Sequence, residues 1–416
     1  MPRFLLELFS EEIPARMQAG AARDLDRLAR AALSDAALAF DGLRAFGGPR
    51  RLTLVVDGLP GAQADRVEER KGPRVGAPDA AVDGFLRSTG LTRDQLVERD
   101  GVYFAALSQK GKPTADILAA MTDDIVRKFP WPKSMTWGAG SLRWVRPLHR
   151  IICLFDGEII PVDIDGIIGS DVTEGHRVMG PKGPFQVANF AAYKAALNEH
   201  FVVLEEAERK VRILAGAQNL CAERGLTLVE DAGLLDEVAG MAEWPVPILG
   251  HMAATFLELP PEVIRTSMRV HQRYFAVSGP DGALAPHFIT IANLETADGG
   301  ALIAAGNARV LSARLEDARF FWNEDRKTPL EGRLETLKGV TFHAKLGTMF
   351  ARTERLATLS RDIAPHLAAD PDLAARAGRL AKADLATGMV GEFPELQGVM
   401  GGYYARAEGL DHRIAT

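Results

Sequence analysis

The stretch FLLELFSEEIPARMQAGAARDLDRLARAAL (residues 4–33) joins a short apolar run to a longer segment with helical periodicity. The run Phe4–Phe9 predicts a β-strand, and Leu25, Leu28 and Ala32 predict a helix that follows it and buries one face. A strand that leads directly into an amphipathic helix favours a mixed architecture, in which helices pack on the faces of a sheet.

Strand and helix signals continue to alternate downstream. We predict strands at Leu52–Val56 and Val102–Leu107, helices at Asp83–Arg87 and Pro113–Lys128, and a hairpin of Ile151–Phe155 and Ile159–Ile164 around Asp156-Gly157. Residues 61–82 are rich in glycine, proline and charge, which predicts a loop or mobile linker. Residues 166–183 are rich in glycine and proline and are also predicted to be a loop.

The second half of the chain contains a predicted amphipathic helix at residues 205–224, a helix that starts at Pro261, and strands at Tyr274–Val277 and Phe288–Ala292. Beyond Gly306 the pattern is mostly helical. We therefore expect an α+β multidomain protein. Its predicted parts are a mixed α/β N-terminal domain (1–165), a middle α/β domain (166–305), a helical connection (306–350) and the start of a further helical domain (351–416).

The composition is that of an ordinary globular protein, with 47% hydrophobic and 25% charged residues. The formal net charge is −6, so contact with a polyanion has to come from local basic surfaces. The two cysteines, Cys153 and Cys221, show neither a disulfide nor a zinc-ligand pattern. Glu7 comes too early for a secretory signal, and no apolar run is long enough to cross a bilayer, so we predict a cytoplasmic protein with no membrane segment.

The segment between Asp124 and Asp156 contains no carboxylate, yet it holds a cluster of cations and most of the tryptophans. The cations are Arg127, Lys128, Lys133, Arg143, Arg146 and Arg150, and the tryptophans are Trp131, Trp137 and Trp144. Unneutralised cations beside flat aromatic rings are typical of nucleic-acid-binding surfaces. The alternative is that the tryptophans are core residues and the cations form a solvated rim.

A second basic pattern follows Pro261. Arg265, Arg269 and Arg273 are spaced four apart, so on a helix they would form one stripe able to follow phosphates. The alternative is a solvated surface whose arginines pair with Glu258 or Glu262.

Residues 306–322 alternate arginines with carboxylates over an apolar face. Arg314 is in reach of Asp317, and Glu316 is in reach of Arg319, if the segment is helical. A helix stabilised by ion pairs and docked on a core explains this pattern at least as well as a ligand site. We assign the apolar residues here and in the basic segment mainly to cores: Phe320, Phe321, Trp322 and Trp144.

The sequence contains none of several common catalytic and cofactor-binding motifs. The sequence has no G-x-x-x-x-G-K-[ST] phosphate loop, no G-x-S-x-G nucleophile elbow and no metal-spaced histidine pair, and Gly138-Ala139-Gly140 lacks the third glycine of a dinucleotide fingerprint. His176 and His271 are isolated in the sequence and are assigned as structural hydrogen-bonding residues. The sequence therefore predicts neither a catalytic residue nor a metal site in this chain.

Ten collinear segments nevertheless resemble one family, the β subunits of bacterial heterotetrameric glycyl-tRNA synthetases. They are LLELFSEEIPA (5–15), GPRRLTLVV (48–56), WPKSMTWG (131–138), LRWVRPLHRII (142–152), EGHRVMGP (174–181), EWPVPILG (243–250), LPPEVIRTSMRVHQRYF (259–275), GNARVLSARLEDARFFWNED (306–325), FHAKLGTM (342–349) and KADLATGMVGEFPELQGVMGGYYA (382–405). The matches run in order over essentially the whole chain.

The resemblance implies a glycine–tRNA ligase of α2β2 composition, in which the α subunit binds glycine, ATP and Mg²⁺ and carries the catalytic residues. The β subunit would grip tRNA(Gly) and complete the assembly, with no cofactor of its own. Family members are also similar, in their middle region, to tRNA-contacting and editing-type modules of phenylalanyl-tRNA synthetase. The basic residues expected to contact tRNA or the α subunit are Arg50, Arg51, Lys133, Arg143, Arg146, Arg177, Arg265, Arg269 and Arg273.

Two departures from the family pattern leave alternatives open. The chain ends soon after residue 405, so the rest of a helical HD-like domain and an anticodon-binding domain are expected to be absent. The HD-like part has no His-Asp doublet, and Asp384 with His366 is too few ligands for a phosphohydrolase metal. The alternatives are a stand-alone hydrolase, either an HD phosphohydrolase or an editing esterase, and a shortened scaffold that binds only the α subunit.

Overall fold

The strand predicted at residues 4–9 is β1 (Arg3–Ser10), and it lies inside a seven-stranded sheet. The computed structural model describes residues 2–416, apart from the side chains of residues 66–68 and 108–109. Along its length the chain divides into two compact units, Met1–Arg209 and Lys210–Thr416. Each unit has its own sheets and its own hydrophobic cores.

The first unit alternates strands and helices. Its strands are β1 (Arg3–Ser10), β2 (Gly42–Gly47), β3 (Arg51–Asp57), β4 (Arg66–Arg74), β5 (Leu96–Arg99), β6 (Val102–Gln109), β7 (Leu148–Phe155), β8 (Glu158–Ile159), β9 (Asp163–Ile164), β10 (Ile167–Ser170), β11 (Val172–Glu174) and β12 (Pro184–Gln186). Its helices are α1 (Ala15–Asp35), α2 (Asp79–Thr89), α3 (Thr114–Arg127) and α4 (Phe190–Glu199), and α5 (Glu206–Ala222) continues into the second unit.

The large sheet has the order β2-β3-β1-β7-β10-β9, with β8 beside β7, and β10 pairs with β7 in parallel. Both faces of β1 are buried, which is why its sequence is a nearly continuous apolar run. Leu6 and Leu8 pack in the core that α1 and α3 complete, and Leu5 packs in the core that α4 completes. The predicted hairpin around Asp156-Gly157 is confirmed as β7 and β8, but the predicted strand Ile159–Ile164 is not continuous, because β8 ends at Ile159 and Asp163–Ile164 form β9.

The predicted apolar face of α1 is only partly correct. Leu25 is fully buried, but the buried stripe continues through Ala29 and Leu33, and the predicted members Leu28 and Ala32 are half-buried at its edge. The stripe faces β2 and β3, on which α1 packs, and the spacing of large side chains alone does not determine its exact centre.

Two predicted loops are wrong in part: a strand and a helix occupy much of residues 61–82, and strands occupy most of residues 167–174, whereas residues 175–183 belong to no helix or strand. Residues 61–82 contain β4 and the start of α2, and β4 pairs with β6 in a separate three-stranded sheet of order β4-β6-β5. Residues 166–183 contain β10 and β11. Some of the glycines and prolines in these segments lie at turns or at strand irregularities, whereas Gly169 lies inside β10. Pro73, for example, lies where the register of the edge strand β4 shifts.

The second unit begins with a four-stranded antiparallel sheet of order β13-β15-β16-β14 and continues as helices. Its strands are β13 (Thr227–Leu228), β14 (Val246–His251), β15 (Phe275–Ser278), β16 (Leu284–Ala292), β17 (Thr341–His343) and β18 (Gly347–Thr348). Its helices are α6 (Ala232–Ala239), α7 (Pro261–Thr266), α8 (Ala301–Asp325), α9 (Leu330–Arg333), α10 (Met349–Ile363), α11 (Pro371–Leu380), α12 (Gly388–Glu392) and α13 (Val399–Ala407).

Shorter helical turns connect these elements. They are the 3-10 turns Arg93–Gln95 in the first unit and Ala254–Glu258, Leu334–Gly339, Ala364–Leu367, Ala383–Ala386 and Pro394–Leu396 in the second, together with a π-helical segment at Ser267–Gln272 that directly follows α7.

The helix predicted at residues 306–322 is the larger part of α8, and one of its two expected ion pairs is present. Arg319 pairs with Glu316, whereas Arg314 pairs with Glu392 on α12 at 2.6 Å and not with Asp317. The core assignment of Phe320 is wrong, because 59% of this residue is exposed.

The predicted α+β multidomain class is confirmed, with about 45% helix and 22% strand. The finer division at residues 165, 305 and 350 stays a prediction. Across residues 2–416, no helix combines the length and the apolar character that a membrane span requires.

Candidate nucleic-acid interface

The carboxylate-free segment starts in the last turn of α3 and ends in β7, and residues 128–147 between them form a loop, which we call the basic loop. Three cations of the segment pair with carboxylates of flanking elements. Two of them lie outside the basic loop, and the third, Lys128, is its first residue. The pairs are Arg127 with Asp123 at 2.8 Å, Lys128 with Asp124, and Arg150 with Glu174 at 2.8 Å.

The tryptophans of this segment are core residues and do not form exposed stacking surfaces. Trp144 is fully buried, and its ring lies 5.0 Å from that of Trp131 and 5.1 Å from that of Phe129. Trp137 packs against the same core and is half-buried. The alternative raised for the sequence, a tryptophan core with a rim of cations, is therefore confirmed for the aromatic residues.

The basic loop is held in a fixed shape from two sides. Met135 and Trp144 exchange two backbone hydrogen bonds, of 2.8 and 3.1 Å, which close the loop at its base. Asp165, on the turn between β9 and β10, accepts backbone N–H bonds from Ser141 at 2.9 Å and from Leu142 at 3.0 Å. These N–H bonds, first the one from Leu142, lower the pKa of Asp165, because they stabilise its charged form.

Three exposed cations of the basic loop have no carboxylate partner in the part of the chain that the structure describes: Lys133, Arg143 and Arg146. Arg143 donates to the Ser134 hydroxyl at 3.2 Å, and Arg146 donates to the Val145 carbonyl at 3.1 Å. Met135 and Trp144 pair through a backbone bridge. In sequence, Lys133 is two positions from Met135, and Arg143 and Arg146 are one and two positions from Trp144. Together we call these three exposed cations the basic patch.

Arg51, another candidate, lies inside the protein. Its Nη1 atom is 2.9 Å from Glu7 Oε1, and the two side chains are 2% and 0% exposed. Tyr193 donates to the same Glu7 oxygen at 2.6 Å, and burial raises the pKa of Tyr193 well above its usual value. A buried carboxylate has to be compensated in this way, so the placement favours a structural role for Arg51.

Arg50 is also buried, with 7% of its surface exposed. Its guanidinium carbon lies 4.6 Å from the centre of the Phe9 ring, and Nη1 donates to the carbonyl of Gly175 at 3.4 Å. Because the charged group is directed into the fold, this placement favours a structural role here too. Contact of Arg50 and Arg51 with tRNA or with another subunit stays a prediction.

Arg177 is half-exposed and pairs with Glu11, and its distance to Glu12 is 3.0 Å. The hydrogen bond from Arg177 lowers the pKa of Glu11 to about 2, and a hydrogen bond to His149 at 3.0 Å acts in the same direction. Arg177 lies among carboxylates, so its positive charge is locally balanced.

The predicted stripe Arg265–Arg269–Arg273 is largely neutralised. The helix changes from α7 to the π-helical segment at Ser267, which alters the spacing on which the stripe depends. Arg269 pairs with Asp231, and Arg273 pairs with Glu237 at 2.6 Å, so the partners come from α6 and its N-cap and are not the expected Glu258 or Glu262. Arg265 is exposed and has no ion pair among the described residues.

The helical region contains a buried carboxylate with structural partners. Asp384 is fully buried, accepts N–H bonds from Gly398 and from Gly401 at 3.1 Å, and has a pKa that burial raises. His366 is exposed on the turn Ala364–Leu367. Within residues 2–416 as described, no three side chains of His, Cys, Asp or Glu are grouped so as to hold a metal ion.

Comparison with known proteins extends this picture over the whole chain. The family model described as glycyl-tRNA synthetase beta subunit matches residues 4–416. The chain belongs to the glycyl-tRNA synthetase β-subunit family.

Curated relatives share this description. A "Glycine--tRNA ligase beta subunit" from Phenylobacterium zucineum is 64% identical over the entire chain, and one from Ruegeria sp. is 53% identical over the entire chain. A third, from Cereibacter sphaeroides, is 52% identical. The present member of the β-subunit family spans 62%, 62% and 61% of the length of these relatives.

The residue that sequence reasoning missed in this β-subunit family member is Asp165, which fixes the tip of the basic loop. One signal was available. The dipeptide Asp165-Gly166 is typical of a tight turn, and an aspartate at a turn often accepts backbone N–H bonds. The sequence did not indicate that the bonded N–H groups would belong to a loop more than 20 residues earlier.

Proposed function

We propose that this chain acts as part of the β subunit of a glycine–tRNA ligase and holds tRNA(Gly) on the basic patch. The observation that carries the proposal is the basic patch itself. Lys133, Arg143 and Arg146 are exposed on a loop of fixed shape, and no carboxylate of the described chain neutralises them. Cations arranged in this way release counterions when they meet phosphates, which supplies affinity without reading sequence.

In this proposal the bond-making belongs to a separate α subunit, which binds glycine, ATP and Mg²⁺ and forms an α2β2 assembly with the β subunit in the cytoplasm. Membership of the β-subunit family supports the division of labour. A role as a stand-alone hydrolase receives no support from the named relatives, which are ligase subunits.

The test is a salt titration of tRNA binding combined with a charging assay. In a full-length β subunit, the variant Lys133→Gln/Arg143→Gln/Arg146→Gln should weaken tRNA binding and lower the slope of log K against log salt by about 2–3, since each lost phosphate contact removes about 0.7–0.9. With α subunit present, glycylation at subsaturating tRNA should fall in parallel.

The matched control is Arg127→Gln/Lys128→Gln, which removes neighbouring cations that already have carboxylate partners. It should leave the slope nearly unchanged. An unchanged slope in the triple variant would reject the basic patch as a phosphate contact. If the whole chain shows no salt-dependent tRNA binding but still co-purifies with the α subunit, the scaffold alternative replaces the proposal. Mass measurement of that complex tests the α2β2 composition.

A further inference from the structure

The three-stranded sheet β4-β6-β5 has one covered face and one open face. On the covered face, α2 packs through Val82, which is 1% exposed, and through Phe85, which fills the space above Gly72. Ala105 of β6 is completely buried on the same side. Side chains alternate along a strand, so the neighbours of Ala105 on β6 point to the opposite side.

The strand register assembles the open face from two rows. Lys71, Phe104 and Val97 lie side by side on β4, β6 and β5, and Arg74, Val102 and Arg99 form the second row. The cations of both rows are exposed, Val97 is 47% exposed, and Phe104 and Val102 are half-buried. The outer strands are about 10 Å apart, given a strand spacing of about 4.8 Å.

A cation–π contact lies at the centre of this face. The guanidinium carbon of Arg99 is 5.4 Å from the centre of the Phe104 ring, and Arg99 Nη2 lies 3.1 Å from Glu69 Oε1. The side chains of this ion pair are 56% and 47% exposed, so the pair contributes little and can exchange for another partner. Lys71 and Arg74 have no ion pair among the described residues.

We propose that the open face of this sheet binds unpaired RNA nucleotides, with a base stacked on Phe104 or on the Arg99 guanidinium and phosphates held by Lys71 and Arg74. Bases stack on aromatic rings and on guanidinium planes only when they are free of a duplex, where their faces are already covered by neighbouring bases. A sheet with a central aromatic residue and flanking cations offers both contacts at once.

The charge of the face favours RNA over a protein partner. Among its described residues the cations are Lys71, Arg74 and Arg99, and the carboxylate is Glu69. Its exposed apolar residues that the structure describes are Val97 and Ala106, and Phe104 and Val102 are half-buried; this is far fewer than the roughly 20–30 residues that each side of a stable protein interface contributes. The occupant to which we commit is a run of unpaired nucleotides of tRNA, and this source of the RNA rests on the proposed function.

The experiment measures anisotropy of a fluorescein-labelled single-stranded RNA octamer on addition of the whole chain, with a 16-base-pair RNA duplex as the second probe. Phe104→Leu keeps an apolar side chain but removes the stacking ring, and should weaken octamer binding about 5- to 30-fold.

Lys71→Gln/Arg74→Gln changes only exposed side chains and should lower the salt slope of octamer binding by about 1.4. Arg87→Gln, a cation on α2 away from the open face, should leave octamer affinity within about twofold.

Unchanged octamer binding in Lys71→Gln/Arg74→Gln would overturn the inference, even if Phe104→Leu fails to fold. Equal losses for the duplex would also overturn it, because a stacking surface discriminates between the probes. Concentration-dependent self-association that Phe104→Leu abolishes would assign the face to a second copy of the chain instead.

The triple variant of the basic patch, Lys133→Gln/Arg143→Gln/Arg146→Gln, separates this inference from the proposed function. It should keep octamer affinity while tRNA binding and glycylation fall, so either proposal can fail alone.

Discussion

The basic loop and the segment Arg265–Arg273 are both rich in cations in sequence, but only one of them is basic in three dimensions. In the basic loop, three cations are exposed without carboxylate partners in the described chain. In the second segment, Arg269 and Arg273 meet Asp231 and Glu237, which lie 38 and 36 positions away in sequence. Local charge density therefore does not predict surface charge, because folding brings neutralising groups from distant elements.

A second comparison is between two arginines, one buried and one exposed. Arg51 and Arg143 both occur in motifs that resemble the same family, yet Arg51 is buried against Glu7 and Arg143 is exposed on the basic loop. The burial of Arg51 follows from its position at the start of β3, which pairs with β1 in the middle of the large sheet. Arg143 lies on the basic loop between Leu142 and Trp144, whose side chains enter the core, and its own side chain remains exposed at the surface.

The largest expected effect is a loss of stability when Arg51 is replaced, and it tests the comparison between Arg51 and Arg143. Arg51→Gln leaves the Glu7 carboxylate in the core without its cation, and should lower the free energy of unfolding by about 3–5 kcal/mol. Arg143→Gln should change it by less than about 0.5 kcal/mol, since the residue is exposed. Urea unfolding of both variants, followed by circular dichroism, measures the difference. A loss below about 1 kcal/mol in Arg51→Gln would contradict the structural role assigned to the pair.

The next largest effect is expected when the carboxylates that neutralise the segment Arg265–Arg273 are removed. Asp231→Asn/Glu237→Gln removes the carboxylates that pair with Arg269 and Arg273. The substituted amide can still cap α6, because its oxygen can accept the Leu234 N–H bond that Asp231 now accepts at 2.9 Å. Affinity for tRNA at low salt should rise, and the salt slope should steepen by about 1–2. Filter binding over a range of salt concentrations tests this.

The control for that variant is Asp317→Asn, an exposed carboxylate of α8 that has no ion pair among the described residues. It changes the net charge without releasing an arginine. If both variants bind tRNA equally well, the effect is one of overall charge, and the comparison between the two basic segments loses its meaning.

Much of the fold was accessible from sequence where burial imposes a pattern. The apolar run of β1, the alternation in β3 and the turn before β8 were all predicted, because strands inside a large sheet need apolar residues. β4 was missed for the opposite reason. As an edge strand of a small sheet it carries Glu69, Arg70, Lys71 and Arg74, and its formation depends on pairing with β6.

The candidate interface was predictable only in part. The cations of the basic loop were recognised, but the tryptophans beside them proved to complete a core, as Trp144 shows. The neutralising partners Asp231, Glu237 and Glu174 lie in other elements, and no local spacing indicates them. Such pairs are set by tertiary packing, which single-sequence patterns do not contain.

A smaller effect concerns the shape of the basic loop. Asp165→Ala removes the acceptor of the Ser141 and Leu142 N–H bonds, so the loop tip should sample more conformations. Binding of tRNA should then weaken by about 2- to 5-fold, because a mobile loop has to be ordered on binding. Amide hydrogen exchange should accelerate at residues 138–143 and stay unchanged in β3. Equal affinity with unchanged exchange would show that the closing bridge at Met135 and Trp144 is sufficient.

The smallest expected effect is the pH dependence of the balanced pair Glu11–Arg177. The pKa of Glu11 is lowered from 4.5 to about 2, so its contribution is complete above pH 4.5 and is lost as pH falls towards 2. Solvent screening at this half-exposed site limits the contribution to about 1 kcal/mol or less. The difference in urea midpoint between the wild type and Glu11→Gln should be constant above about pH 5 and shrink below it. Arg177→Gln should raise the pKa of Glu11 as followed by carboxylate NMR, and an unchanged value would show that another group holds Glu11 ionised.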